Sequence, residues 1–137
     1  RQMCIRDSLI SAALTLIMAQ RLARKTCLDC RIIDENITPK LLNSVGFLPE
    51  QSARAKIYKG NGCNSCGGSG YKGRMGIYEI LEIESELKAG ILSNLQQNEL
   101  NAIAKKNGFR TMQDMGQEML LSGDLSFAEY ERVLQSN

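Results

Sequence analysis

Two short cysteine pairs carry the chemistry that this sequence could do. Cys27-Leu28-Asp29-Cys30 and Cys63-Asn64-Ser65-Cys66 are each a C-x2-C, and thirty-two residues lie between them. Four thiolates in two such pairs are the usual ligand set of a tetrahedral structural zinc. A site closed by four sulfurs keeps no open coordination position, so it is structural rather than catalytic. The second pair runs into Gly67, Gly68, Gly70 and Gly73, which fits a backbone that turns tightly around a metal and aims amides at sulfur. Three other readings compete. Two disulfides need an oxidising compartment. A redox pair of thioredoxin type is normally single and follows a strand in a βαβ unit. Unrelated buried thiols would have to fall into two C-x2-C pairs by chance. The chain has no histidine. That excludes mixed Cys/His zinc sites, Ser-His-Asp and Cys-His catalysis, and a histidine pH switch.

The elements that position these cysteines come from a chain of 137 residues, enough for one modest domain or a piece of a larger one. It has no tryptophan and few aromatics, so its core must be aliphatic. The formal charge is +2 with the cysteines neutral. Four thiolates and one Zn²⁺ together carry two negative charges and would bring the total to about zero. Arg24, Lys25, Arg31, Lys59, Lys72 and Arg74 could offset the charge of such a site, or be ordinary solvated cations. Residues 53–74 carry only basic charge, and residues 111–137 are mostly acidic. This suits a module packed between neighbours of opposite sign. No dense basic stripe or aromatic platform accompanies it, so no nucleic-acid partner is expected.

The apolar run Leu9 to Ala19 is eleven residues long, short of the roughly 20 that span a bilayer. No transmembrane segment is expected, and the run shows no signal-peptide cleavage site. The chain begins with Arg1, which reads as an incomplete N-terminus. Residues 1–8 resemble translated adapter sequence and are set aside as an artefact, with Cys4 a stray thiol rather than a fifth ligand. Residues 9–25 read as one helix of a buried core, with the basic residues in its last turn. Thr38-Pro39 opens a short helix, Thr as N-cap and Pro first, with Gly46 at its end. Another turn or helix starts at Phe47–Glu50. Lys56–Lys59 reads as a strand leading to the second knuckle, and Arg74–Ile83 as a second strand. Helices follow over Ser85 to about Leu95, Gln97–Lys106, stopping at Asn107-Gly108, and Met112–Leu121, stopping at Gly123. Ser126 caps a last helix with Glu129 at N3, the spacing of a capping box. The methionines read as flexible core filler.

Together these stretches resemble the C-terminal end of the secretion ATPases of type II secretion and type IV pilus assembly. The matching segments are Ala12-Ala13-Leu14 leading to Ala19-Gln20-Arg21-Leu22-Ala23-Arg24-Lys25; the Cys27/Cys30 pair; Gly62-Cys63 through Tyr71-Lys72-Gly73-Arg74; Gly76-Ile77-Tyr78-Glu79-Ile80-Leu81; Gly108-Phe109-Arg110-Thr111-Met112; and Ser126 to Leu134. The resemblance implies an α+β piece as it stands: the C-terminal fragment of a RecA-like α/β ATPase domain, with a small tetracysteine zinc subdomain and a C-terminal helical bundle. It divides the chain into 9–26, a helix of the ATPase core; 27–74, the zinc subdomain; and 75–137, a strand and helical region. It carries over Cys27, Cys30, Cys63 and Cys66 as zinc ligands.

The parent would work as a cytoplasmic hexamer at the inner membrane, its ATP and Mg²⁺ bound elsewhere, with membrane platform proteins as partners. The phosphate loop G-x4-G-K-[ST], the Asp box, the Walker B acids and the His box of that family are missing from this chain. The fragment is therefore expected to be inactive alone. Gln20 and Arg21 match a family motif and read as helix packing. The alternative is a free-standing zinc module of co-chaperone type, because Cys63 to Gly70 also fits C-x2-C-x-G-x-G. Cys30 is followed by Arg31-Ile32-Ile33, without the glycines that repeat would bring.

Overall fold

The computed structural model describes residue 13 and residues 15–135. Among the described residues there are four strands: β1 (Leu16–Thr26), β2 (Arg31–Ile33), β3 (Tyr58–Gly60) and β4 (Tyr71–Glu82). The helices are α1 (Pro39–Ser44), α2 (Pro49–Arg54), α3 (Ser85–Leu92), α4 (Gln97–Lys106), α5 (Met112–Ser122) and α6 (Phe127–Tyr130), the last continuing into a π-helical turn, Glu131–Gln135. β1 pairs with β4, and β2 pairs with β3 in a separate two-stranded ribbon. This mixture of helix and strand is the α+β class expected.

The helix expected over residues 9–25 is not what forms from residue 16 onward: Leu16–Thr26 is a strand. Residues 9–12 and 14 lie outside the described residues, as do residues 1–8 with Cys4. The physical reason is the sequence itself. A continuous apolar run carries no period that separates helix from strand. Leu, Ala, Arg and Lys then favour helix locally. What decides is the partner, β4, whose Tyr71, Ile77, Tyr78 and Ile80 favour an extended chain. Arg21 accordingly packs as a strand residue, donating to the carbonyl of Val133.

The described residues fall into two compact units. One holds Gln20–Ile77 and the chain from Met112 onward. Its core gathers Ala23, Leu42, Ile77, Leu120, Leu125 and Tyr130, all fully or almost fully buried. Met75, Met112, Met115 and Met119 pack around this cluster, as filler should. Thr38 Oγ1 accepts the Leu41 N–H at 3.3 Å, the cap expected for α1. Ser126 Oγ accepts the Glu129 N–H at 3.2 Å and caps α6. The Glu129 carboxylate, however, does not serve as the second half of a capping box there; it is drawn to two arginines described below.

The other unit holds the described residues up to Ala19 and Tyr78–Thr111. α3 and α4 pack through buried Leu87 and Ala104, with Gly90 admitting Leu100 and Ile103. α4 has the expected bounds. α3 stops at Leu92, three residues early, because Asn94 turns left-handed at φ 54°. The helices after β4 are thus divided, α3 and α4 in this unit and α5 and α6 in the other.

Candidate metal centre

Each knuckle is delivered by a strand and held by backbone. β1 ends at Thr26, whose N–H donates to the Asp124 carbonyl at 2.9 Å. The next residue, Cys27, is buried, and its N–H donates to the Gly70 carbonyl at 2.9 Å. Cys30 leads directly into β2. Antiparallel pairing of β2 with β3 sets Arg31 opposite Gly60. That register brings the second knuckle against the first, with the Asn61 N–H on the Cys30 carbonyl at 3.1 Å. Asn64–Cys66 is a single 3₁₀ turn. Gly70 then returns the chain to β4.

All four sulfurs lie within 4.8 Å of one another. Cys27 and Cys63 are 3.8 Å apart, Cys30 and Cys66 3.9 Å, and Cys63 and Cys66 3.8 Å. A tetrahedron with Zn–S bonds of about 2.3 Å has edges of about 3.8 Å. A disulfide needs about 2.05 Å, and the four thiols are free. The disulfide reading is therefore not the arrangement this fold makes.

Backbone amides point at the sulfurs. The Gly62 N–H donates to Cys30 Sγ at 3.3 Å, and Cys66 Sγ accepts from Cys63 and Gly70, each at 3.2 Å. The Cys63 N–H above all, aided by that of Gly70, pulls the Cys66 thiol down to about 6 against the cost of its partial burial. Cys30 moves the other way, up to about 11, through desolvation and the neighbouring thiols. Four sulfurs this close cannot all ionise unaided, and a divalent cation among them would supply the missing positive charge. The nearby lysines do not: Lys59 pairs with Asp34 at 3.3 Å and Lys72 with Asp29 at 3.9 Å.

The knuckles cross where only glycine fits. A Cβ on Gly60 would stand 1.9 Å from the Gly70 carbonyl oxygen. Gly70 in turn gives its N–H to Cys66 and its carbonyl to Cys27. Gly60→Ala should therefore push Gly70 off both cysteines and weaken zinc binding by roughly 10–100-fold, the usual effect of losing outer-shell support. Gly67→Ala is the control. Gly67, unlike Gly60, has a positive φ, but a Cβ there meets nothing within 4 Å, so its zinc affinity should stay within about threefold. Competition with a chromophoric chelator reads both.

Next to the first knuckle is a group that the sequence offered only as a capping residue. Glu129 is fully buried, and its carboxylate accepts the Arg24 backbone N–H at 2.7 Å. It also accepts from the Arg24 guanidinium, at 3.0 and 2.8 Å, and from that of Arg132, at 2.6 and 2.8 Å. Arg132 first and then Arg24 hold it well below the ordinary carboxylate range, at about 2. The Arg24 guanidinium also lies 4.2 Å from the centre of the Tyr71 ring. Glu129 and Arg132 are three apart on one helical stretch and were visible as a pair. Arg24 is 105 residues away, and no local pattern announces it.

The model of the family described as "Type II/IV secretion system protein" matches residues 1–132, including the first eight that the sequence reading set aside. Over 120 residues the chain is 35% identical to the type IV pilus assembly ATPase PilB of Thermus thermophilus, covering 88% of this chain and 13% of that protein. It is 33% identical over 135 residues to the PilB of Acinetobacter baylyi, covering 97% and 23%. It is 33% identical over 133 residues to the putative type II secretion system protein E of Escherichia coli K12, covering 97% and 26%. The chain thus spans about a quarter or less of each of these relatives. With a match that runs over nearly its whole length, the chain belongs to the type II/IV secretion system protein family.

Proposed function

We propose that this chain serves as the C-terminal region of an ATPase that powers type II secretion or type IV pilus assembly, and that its four cysteines hold one structural zinc. The observation that carries the reading is a family match across residues 1–132 to relatives that are themselves several times longer and are named pilus assembly ATPases. The sequence contains no phosphate loop, so ATP and Mg²⁺ would be bound by other parts of the parent. In this reading β1 belongs to a RecA-like core sheet, residues 27–74 form the zinc subdomain, and the remainder completes the ATPase domain. The exposed apolar residues of β1, among them Leu16, Met18 and Leu22, suit a strand that meets further parts of such a core.

The parent would form a hexameric ring at the cytoplasmic face of the inner membrane and act on membrane platform proteins. No described helix is long and apolar enough to cross a membrane, which fits a peripheral position. Zinc would make the loop-rich insert rigid, so that it transmits ring motion or presents a fixed face. An insert of this size buries little surface and depends on such a staple.

The test is a chimera in which this chain replaces the matching region of the Acinetobacter PilB. The chimera should assemble pili, and its Cys63→Ser form should lose both zinc and piliation. Normal piliation from a zinc-free Cys63→Ser chimera would end the transmission idea. The purified chain should show no ATP hydrolysis above the background of buffer.

A further inference from the structure

The chain enters the second knuckle through Gly60-Asn61-Gly62-Cys63. Asn61 is exposed. Asparagine followed by glycine is the dipeptide most prone to cyclise, because glycine carries no side chain to hinder its own nitrogen as it approaches the asparagine side chain. In the folded chain that nitrogen is engaged. The Gly62 N–H donates to Cys30 Sγ at 3.3 Å, with Gly62 held at φ 91°. The Asn61 N–H is bonded as well, to the Cys30 carbonyl at 3.1 Å. Both bonds end on one residue of the candidate metal centre. A thiolate accepts such a bond more strongly than a thiol does. When the four sulfurs part, the Gly62 nitrogen loses its partner. The chain also carries its own comparison. Asn107-Gly108 is a second exposed Asn-Gly, at the end of α4. There the Gly108 N–H donates to the Lys105 carbonyl at 3.1 Å, a helix-end bond with no link to the cysteines. Helix ends open and close at little cost, whatever the metal does.

We propose that Asn61 is a deamidation site guarded by the metal centre, so that a chain left without zinc loses its capacity to take zinc up again. This rests on the zinc reading above. The Gly62 nitrogen gives its proton to solvent and bonds to Asn61 Cγ. The bond from Cγ to the side-chain nitrogen breaks, and that nitrogen leaves as ammonia with a proton from solvent. Water then opens the five-membered imide. Opening at the main-chain carbonyl gives isoaspartate, the major product, and opening at the other carbonyl gives aspartate. In sum one water enters and one ammonia leaves, with nothing oxidised or reduced. Isoaspartate lengthens the main chain by one carbon between Gly60 and Gly62. Neither neighbour has room for it. Gly60 lies so close to Gly70 that a Cβ would stand 1.9 Å from its carbonyl oxygen, and a Cβ on Gly62 would stand 2.7 Å from that of Gly68. The added carbon moves Gly62 off Cys30 and displaces Cys63, the next residue.

The test uses the full 137-residue chain, with its zinc content measured first. One portion stays loaded and another is stripped with a chelator. Both are held under reductant in the same warm, mildly alkaline buffer. Peptide mass spectrometry and enzymatic isoaspartate labelling follow Asn61 and Asn107 in each. Asn61 should deamidate at least about tenfold faster in the stripped chain than in the loaded one, while Asn107 should differ by no more than about twofold. After zinc is returned, only chains free of isoaspartate at position 61 should take it up. Asn61→Gln, stripped and aged in the same way, should recover its zinc in full, because glutamine closes only slowly, to a six-membered ring. The proposal is overturned if Asn61 ages equally fast with and without zinc. It is overturned too if isoaspartate-bearing chains rebind zinc as the native chain does, or if Asn61→Gln loses zinc uptake at the native rate. A chain found without zinc at the outset would overturn the zinc reading and the proposal with it, so the two failures are told apart by the first measurement.

Discussion

Replacing Cys66 by serine should abolish stoichiometric zinc binding and unfold the segment between the knuckles. Cys66 is where the two halves of the site are tied. Its sulfur accepts from the Cys63 and Gly70 amides and stands 3.8 and 3.9 Å from the sulfurs of Cys63 and Cys30. Structural zinc contributes an apparent 10–16 kcal/mol or so in small peptides, as much as the whole stability of an ordinary domain. The segment it braces has two three-residue strands and two six-residue helices. Leu42, Phe47 and Ile57 anchor its middle to the core, and its two ends are tied only at the knuckles. Limited proteolysis should cut the variant within residues 28–70 under conditions where the native chain resists. An equimolar excess of a strong chelator should give the native chain the same cleavage pattern. A Cys66→Ser protein that kept protease resistance with no metal would mean that packing alone holds the fold.

Removing Glu129 should have the next largest effect. Glu129→Ala leaves two guanidiniums and the Arg24 amide without their acceptor. Breaking a buried ion pair costs about 3–5 kcal/mol. Arg24 and Arg132 are about half exposed and regain water, so a loss of about 2–3 kcal/mol is expected. Denaturant melts measure it directly. The same group predicts an acid response. Its folded pKa is depressed to about 2 from an ordinary 4.5. A depressed carboxylate contributes stability that is complete above its unfolded pKa and is lost as pH falls through the folded one. The contribution should therefore fade between about pH 4.5 and pH 2. Protonation of the cysteines releases zinc in acid too, so the difference between the native chain and Glu129→Gln isolates this term. If that difference is flat across the window, the carboxylate is not ionised as drawn.

The clustering of the four cysteines was legible because its signal is local. C-x2-C spacing fixes two ligands per knuckle, and glycines at Gly67, Gly68 and Gly70 mark where the chain must turn. The site also depends on the register of β2 with β3 and on the contact of Gly60 with Gly70, neither of which spacing reveals. Caps were legible for the same local reason: Thr38 and Ser126 each bond an amide three residues on. β1 was misread because helix and strand compete for an apolar stretch without a period, and its partner lies some fifty residues downstream in β4. Glu129 was read as a capping residue because the box spacing is a local pattern. Its real partners include an arginine 105 residues away. Where a carboxylate is wholly buried, long-range charge outweighs the local hydrogen bond.

The central claim is that Cys27, Cys30, Cys63 and Cys66 hold one zinc. Elemental analysis of the chain purified without added metal tests it most directly. About one zinc per chain, released together with four titratable thiols when a chelator is added, is the predicted result. A metal-free protein with its four thiols intact and its fold unchanged would contradict it.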